Sequence, residues 1–228
     1  MEVIEVHALP GIREPINCFT HLLAAVVFSI VAVYLIRRGR GCVIRTASLA
    51  VMAGSSVLLL LMSAGYHMLW PGTARDVMRQ LDIAAVFVLI AGTITPVHAI
   101  LDRGIQRWGS LLLVWSLAIV GITLRTVYAD RISSEIGIAI FLLFGWGGLI
   151  SCLLLWKRFG FEFVQPMIWG GLSYTVGAVC LSLHWPILLP RFIGPHELWH
   201  VAVLMGLALH WKFVFQFAHG IPAVQSGR

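Results

Sequence analysis

FTHLLAAVVFSIVAVYLI, residues 19–36, runs without one aspartate, glutamate, lysine or arginine. An uninterrupted apolar stretch of about 20 residues is what a transmembrane helix requires. Further predominantly apolar runs follow at 44–70, 81–101, 108–124, 136–156, 164–185 and 198–217. Their apolar residues are continuous rather than alternating, which is the helical pattern in lipid and not the strand pattern of a β-barrel. The connections carry Gly, Pro or charge, as in Arg37-Arg38-Gly39-Arg40-Gly41, Pro71-Gly72-Thr73, Asp102-Arg103-Gly104, Ala129-Asp130-Arg131, Lys157-Arg158-Phe159-Gly160 and residues 190–195. None is long enough for a second domain. Residues 1–228 therefore read as one all-α integral membrane domain, a seven-transmembrane helix bundle with a short amino-terminal segment (1–16) and a short tail (219–228).

Composition agrees, since 59% hydrophobic and 11% charged residues with a mean hydropathy of +0.91 exclude a soluble globule. The formal charge of +6 is not a nucleic-acid signal, because the arginines sit in loops and at helix ends rather than on one surface. In an up-down bundle, Arg37, Arg38, Arg40, Arg45, Arg103, Arg107, Lys157, Arg158, Lys212 and Arg228 fall opposite the amino terminus. Arg13, Arg75, Arg79, Arg125, Arg131 and Arg191 share its side. This bias predicts a cytoplasmic carboxy terminus and an amino terminus outside. Residues 1–16 lack the basic region of a signal peptide, so the first span is expected to direct insertion, into a plasma membrane of the bacterial inner type. Cys18, Cys42, Cys152 and Cys180 form no C-x-x-C pair and read as small apolar residues. There is no phosphate loop, nucleophile elbow or internal repeat to support nucleotide use or serine hydrolysis.

The polar residues within the spans carry the functional signal. His196 and His200, in His196-Glu197-Leu198-Trp199-His200, lie one helical turn apart, about 6 Å, which suits two corners of a tetrahedral zinc site. The best third ligand is His67, which ends the second run in Ser63-Ala64-Gly65-Tyr66-His67, with Asp82 starting the third. Glu14, Asn17, Thr20 and His21 begin the first run. Starts of odd spans and ends of even ones share a membrane side, so all these groups converge in one leaflet. An unpaired carboxylate at that depth costs several kcal/mol, so Asp82 should face the metal region, His67 or Arg79. Glu14, Asn17 and His21 either cap the first helix or line the entrance to the site. Gly92, Thr93 and Pro96 should shape a bend whose freed carbonyls bond neighbouring hydroxyls.

Glu14-x-x-Asn17-x-x-Thr20-His21, Ser63-x-x-Tyr66-His67, Asp82 with Ala91-Gly92-Thr93-Ile94-Thr95-Pro96, and His196-x-x-x-His200 resemble the hemolysin III family. This is the bacterial branch of the progestin and adipoQ receptor (PAQR) superfamily, which includes the adiponectin receptors. The resemblance runs from about residue 14 to 217. It implies a seven-helix bundle, Zn2+ on His67, His196 and His200, and a metal-bound water near Ser63 and Asp82. Many bacterial members carry a histidine directly after this aspartate, where Ile83 stands here, so any contact made by that histidine is missing. The receptor branch is described with its amino terminus in the cytosol, contrary to the arginine bias.

Two function classes follow. In one, a buried three-histidine zinc site clamps a sensor or regulator of membrane-lipid state. In the other, Asp82 and Ser63 are catalytic groups of a zinc-dependent hydrolase of a lipid amide, similar to a ceramidase. Membrane lipids are the expected partners in both. A secreted cytolysin is disfavoured, because the spans would insert in the producing cell's own membrane. His-Glu-x-x-His also matches an intramembrane metalloprotease with Glu197 as base, but the Asp-Gly partner segment is absent and Val203 occupies the glycine position of the metzincin extension.

Overall fold

The computed structural model describes residues 8–128 and 131–222. Residues 1–7 of the amino-terminal segment, Ala129 and Asp130 of one expected loop, and 223–228 of the tail, with Arg228 of the charge bias, lie outside them. Among the described residues the regular structure is helical, with isolated bridges only at Leu9–Ile12 and Leu189–Ile193. The helices are α1 (Pro15–Arg38), α2 (Val43–Met68), α3 (Thr73–Leu101), α4 (Gly104–Val127), α5 (Ser134–Trp146), α6 (Leu149–Phe159), α7 (Phe161–Ser182) and α8 (Pro195–Phe215). Among the described residues six spans are long and apolar enough to cross a membrane: α1, α2, α3, α4, the α5–α6 stretch Glu135–Phe159, and α8. The chain is an integral membrane protein of helices.

Each departure from the hydropathy reading has a local cause. The fifth run divides at Gly147-Gly148, where the Gly147 N–H donates to the carbonyls of Leu143 and Phe144 (3.0 and 3.2 Å) and closes α5 with tighter turns. The run at 164–185 is α7, outside the set of six; Glu162, Gln165, Pro166, Ser173 and Thr175 dilute its apolar content. Helix α3 begins at Thr73, two turns before the third apolar run, because Arg75, Asp76 and Arg79 are compatible with a helix but invisible to a search for apolar length. Helix α8 likewise starts at Pro195, whose fixed φ suits a first helical position. Pro96 leaves α3 continuous; in the preceding turn the Thr93 and Thr95 hydroxyls donate to the Ile90 and Ala91 carbonyls (3.0 and 2.7 Å).

Helices α1, α2, α3 and α4 pack in sequence, α7 pairs with α8, and α8 returns to α1. The main core joins Leu35, Met52, Leu60, Val164, Leu207, Trp211 and Phe213, and a smaller one sets Phe87 and Ala91 against Val114 and Ala118. The first three helices approach closely enough to bring α1's start, α2's end and α3's first turns to one membrane face. At the α2–α3 crossing a Cβ on Gly92 would lie 2.0 Å from Ser55 Oγ. Gly92→Ala should therefore cost about 1–3 kcal/mol and lower the thermal unfolding midpoint in detergent. An unchanged midpoint would contradict that contact.

Candidate metal centre

His67 lies in the last turn of α2, and His196 and His200 in the first two turns of α8. One ring nitrogen from each falls within 4.8 Å of the others, and His67 and His200 are buried. His67 Nε2 and His196 Nε2 face each other at 3.3 Å. Two zinc–nitrogen bonds of 2.0–2.1 Å meeting at the tetrahedral angle separate their nitrogens by about 3.3 Å. The spacing therefore fits a shared ion, while two bare lone pairs at that distance would repel. The three rings meet at steep or oblique angles, with centroids 4.7–5.0 Å apart. Three nitrogens thus converge from different directions.

The contacts behind His67 fix its tautomer. Its Nδ1 donates to Glu14 Oε2, which leaves Nε2 as the lone-pair nitrogen on the side of His196 and His200. Arg75, only 7% exposed, donates to Glu14 Oε1 at 2.8 Å and to the Tyr66 and Leu69 carbonyls at 3.2 and 2.7 Å. Its guanidinium also lies 4.2 Å from the Tyr66 ring centroid. Arg13 reaches Glu14 Oε1 at 3.2 Å. The main chain repeats the connection: the N–H groups of Arg13 and Glu14 donate to the Met68 and His67 carbonyls (3.2 and 3.0 Å), which α2 leaves without helical partners. Burial alone would raise the Glu14 pKa, but the hydrogen bonds from His67 and Arg75 and the Arg75 charge outweigh it and hold the carboxyl below its usual range.

A second cross-link joins α1 to α8. Asn17 Nδ2 donates to Glu197 Oε1 (2.9 Å), and the Gly194 N–H donates to Glu197 Oε2 (2.8 Å). Both oxygens of the glutamate in the His-Glu-x-x-His string are thus engaged in starting α8 and tying it to α1. His21 is buried and stacks on His200, with centroids 3.9 Å apart and planes 21° apart. Ser63 is buried in α2 and lines a cavity together with Asp82, with Arg79 one turn before Asp82 in α3.

These groups open on a cavity of about 360 Å³. His21, Ser63, Asp82, His196 and His200 line one part of it. The remainder is almost wholly apolar, with Ile90, Val97, Phe141, Leu149, Met167 and Phe213 among its walls. His210, separate from the triad, also borders it, its Nδ1 donating to the Gly206 carbonyl (2.8 Å).

The residues expected from the sequence therefore come together: His67, His196 and His200 within ligand distance, Ser63 and Asp82 beside them, and Glu14, Asn17 and His21 around them. Sequence reading did not anticipate that Arg75 is buried beneath the site or that Glu14 pairs with His67 rather than capping α1. A basic residue one turn into the polar start of α3 was the available signal. Replacing Glu14 by Gln should weaken metal affinity about 10- to 100-fold, measured by chelator competition on purified protein. Unaltered affinity would show that the carboxylate does not orient the ligand.

Comparison with known proteins gives a consistent picture. The model of a family described as haemolysin-III related matches residues 11–211. Hemolysin-3 of Bacillus cereus is 27% identical over 199 residues, covering 86% of this chain and 88% of the relative. A Hemolysin-3 homolog of Bacillus subtilis (strain 168) is 27% identical over 214 residues, 92% of this chain and 97% of the relative. An uncharacterized protein of Schizosaccharomyces pombe is 25% identical over 238 residues, with 94% of this chain and 53% of the relative covered.

Proposed function

The chain belongs to the haemolysin-III-related family, and on that footing we propose that it is a seven-span, zinc-dependent membrane protein that acts on an acyl-chain lipid by hydrolysing an amide or ester bond. The observation that carries this reading is the histidine triad, of which His196 and His200 line, with Ser63 and Asp82, a largely apolar cavity of about 360 Å³. Three protein ligands are the catalytic pattern of zinc, four the structural one. The reading counts α7 as the seventh crossing, since it packs along α8 and borders the cavity through Met167 and Tyr174.

Zinc held by His67, His196 and His200 would supply an acidified water and a centre that polarises a carbonyl. The remaining work falls to side chains. Glu14 keeps His67 in the ligating tautomer. The apolar walls hold the acyl chain and keep bulk water from the scissile bond. Asp82 accepts the proton of the attacking water and returns it to the leaving amine or alcohol, and Ser63 orients the carboxylate. Lipid amides of the ceramide type fit the cavity's combination of polar head region and apolar length. Ile83, which also lines the cavity, has no titratable group, which leaves proton transfer to Asp82.

A second reading, sensing of membrane state, draws support from the cross-links of α1 to α2 through Glu14–His67 and to α8 through Asn17–Glu197. In it, metal occupancy couples lipid packing to the spacing of three helices. Resident membrane action is favoured over the cytolysis that the name of the Bacillus relatives suggests, because the polar site is enclosed by apolar spans. A proteolytic role finds less support, since Glu197 is engaged at both oxygens. The arginine bias favours an amino terminus outside a bacterial inner membrane.

Asp82→Asn separates the two main readings. Hydrolysis of a fluorescent lipid amide in proteoliposomes should fall about 10²- to 10⁴-fold with metal content retained. Undiminished turnover would remove Asp82 from the chemistry, and wild type without turnover would leave the sensing role.

A further inference from the structure

His21 is the group of the site without an assigned task. It is 3% exposed, its ring stacks on His200, and neither ring nitrogen has a hydrogen-bond partner among the described residues. Leaving a buried polar group unpaired costs roughly 1–3 kcal/mol, so a histidine in this position invites a partner from the cavity it borders. A smaller apolar residue would fill the same space without that penalty.

The stacking excludes the simplest task. An imidazole coordinates along its own ring plane, toward an ion lying in that plane. Rings 3.9 Å apart and 21° from parallel do not direct lone pairs at one ion, so His21 is not a fourth ligand beside His200. His21 instead borders the cavity that Ser63 and Asp82 also line, with both ring nitrogens buried and unpartnered. Of its neighbours, Asn17 Nδ2 bonds Glu197 and His67 Nδ1 bonds Glu14, while Asn17 Oδ1 is itself buried without a partner among the described residues.

We propose that His21 donates a hydrogen bond to the carbonyl or carboxylate oxygen of an acyl chain lying in the cavity, and so holds the ligand's head in register with the metal position. This rests on the reading of the cavity as an acyl-chain site. His21 is then a ligand-positioning residue. The ring has two functions: its face supports His200, and its edge recognises an oxygen. A neutral imidazole carries one N–H, so it discriminates a long chain with an oxygen acceptor from a plain hydrocarbon.

The test uses palmitate and hexadecane as competitors for a fluorescent alkyl probe bound to the full-length, metal-loaded protein in detergent. His21→Phe preserves the stack and removes both nitrogens; His21→Gln restores a donor. Metal content per chain is measured for each. The proposal expects His21→Phe to retain metal, to bind hexadecane as wild type does, and to lose about tenfold or more in palmitate affinity, as for a hydrogen bond to a charged group. His21→Gln should recover part of that loss. Loss of metal in His21→Phe would overturn the proposal by making His21 part of the metal shell. Equal palmitate affinity in wild type and His21→Phe would reduce His21 to packing while leaving the acyl reading intact. Wild type that binds no palmitate would overturn the acyl reading and this proposal together.

Discussion

The bond between Glu14 and His67 is the contact on which the arrangement of the site depends. A histidine at the end of a transmembrane helix has two nitrogens to satisfy and little water to satisfy them. With Nδ1 committed to Glu14, Nε2 turns toward His196 at 3.3 Å. The same carboxylate collects Arg75 and Arg13, and the main chain of residues 13 and 14 bonds the final carbonyls of α2. One ion-paired corner thereby fixes where α1 begins, where α2 ends and how α3 approaches. Asn17 and Glu197 bring α8 to that corner. A metal ion bridging α2 and α8 would complete a ring of contacts already closed through α1.

This arrangement explains why polar groups that are expensive in hydrocarbon are gathered in one leaflet. Most are bonded to another member of the group; Asn17 Oδ1, both His21 ring nitrogens and His200 Nδ1 are left without a partner among the described residues. The rest of the bundle uses apolar packing and small residues: Gly92 admits Ser55, and Gly121 admits the Phe87 ring. At the opposite membrane face, arginines do the work that Glu14 and Arg75 do at the site. Arg158 caps the Leu101 carbonyl (3.0 Å), Arg107 the Asp102 carbonyl (3.0 and 2.8 Å), and Arg45 the Gly39 and Arg40 carbonyls (3.2 and 3.0 Å). Positive charges that set topology are also closing helix ends.

The helices and the histidine triad were legible in the sequence for the same reason: a bilayer makes apolar length obligatory and buried polarity conspicuous. His67, Asp82, His196 and His200 stand out because they interrupt or border apolar runs. Glu14 and Arg75 do not, since each lies in a segment where charge is ordinary, and only the approach of α1, α2 and α3 buries them together. Tilt and helix continuity were equally hidden. Gly147-Gly148 lies inside one apolar run of the sequence but ends a helix in space, and the charged turns of α3 extend the helix past the apolar limit. Stacking of His21 on His200 joins residues far apart in the chain, and no local pattern announces it.

We infer that His67, His196 and His200 hold one metal ion between them. Elemental analysis of protein purified without chelator, set beside His67→Ala and His200→Ala at equal folded amounts, tests it most directly. About one zinc per chain is expected in wild type, and its loss from both variants. Well-folded wild type without metal, or variants that keep it, would contradict the account.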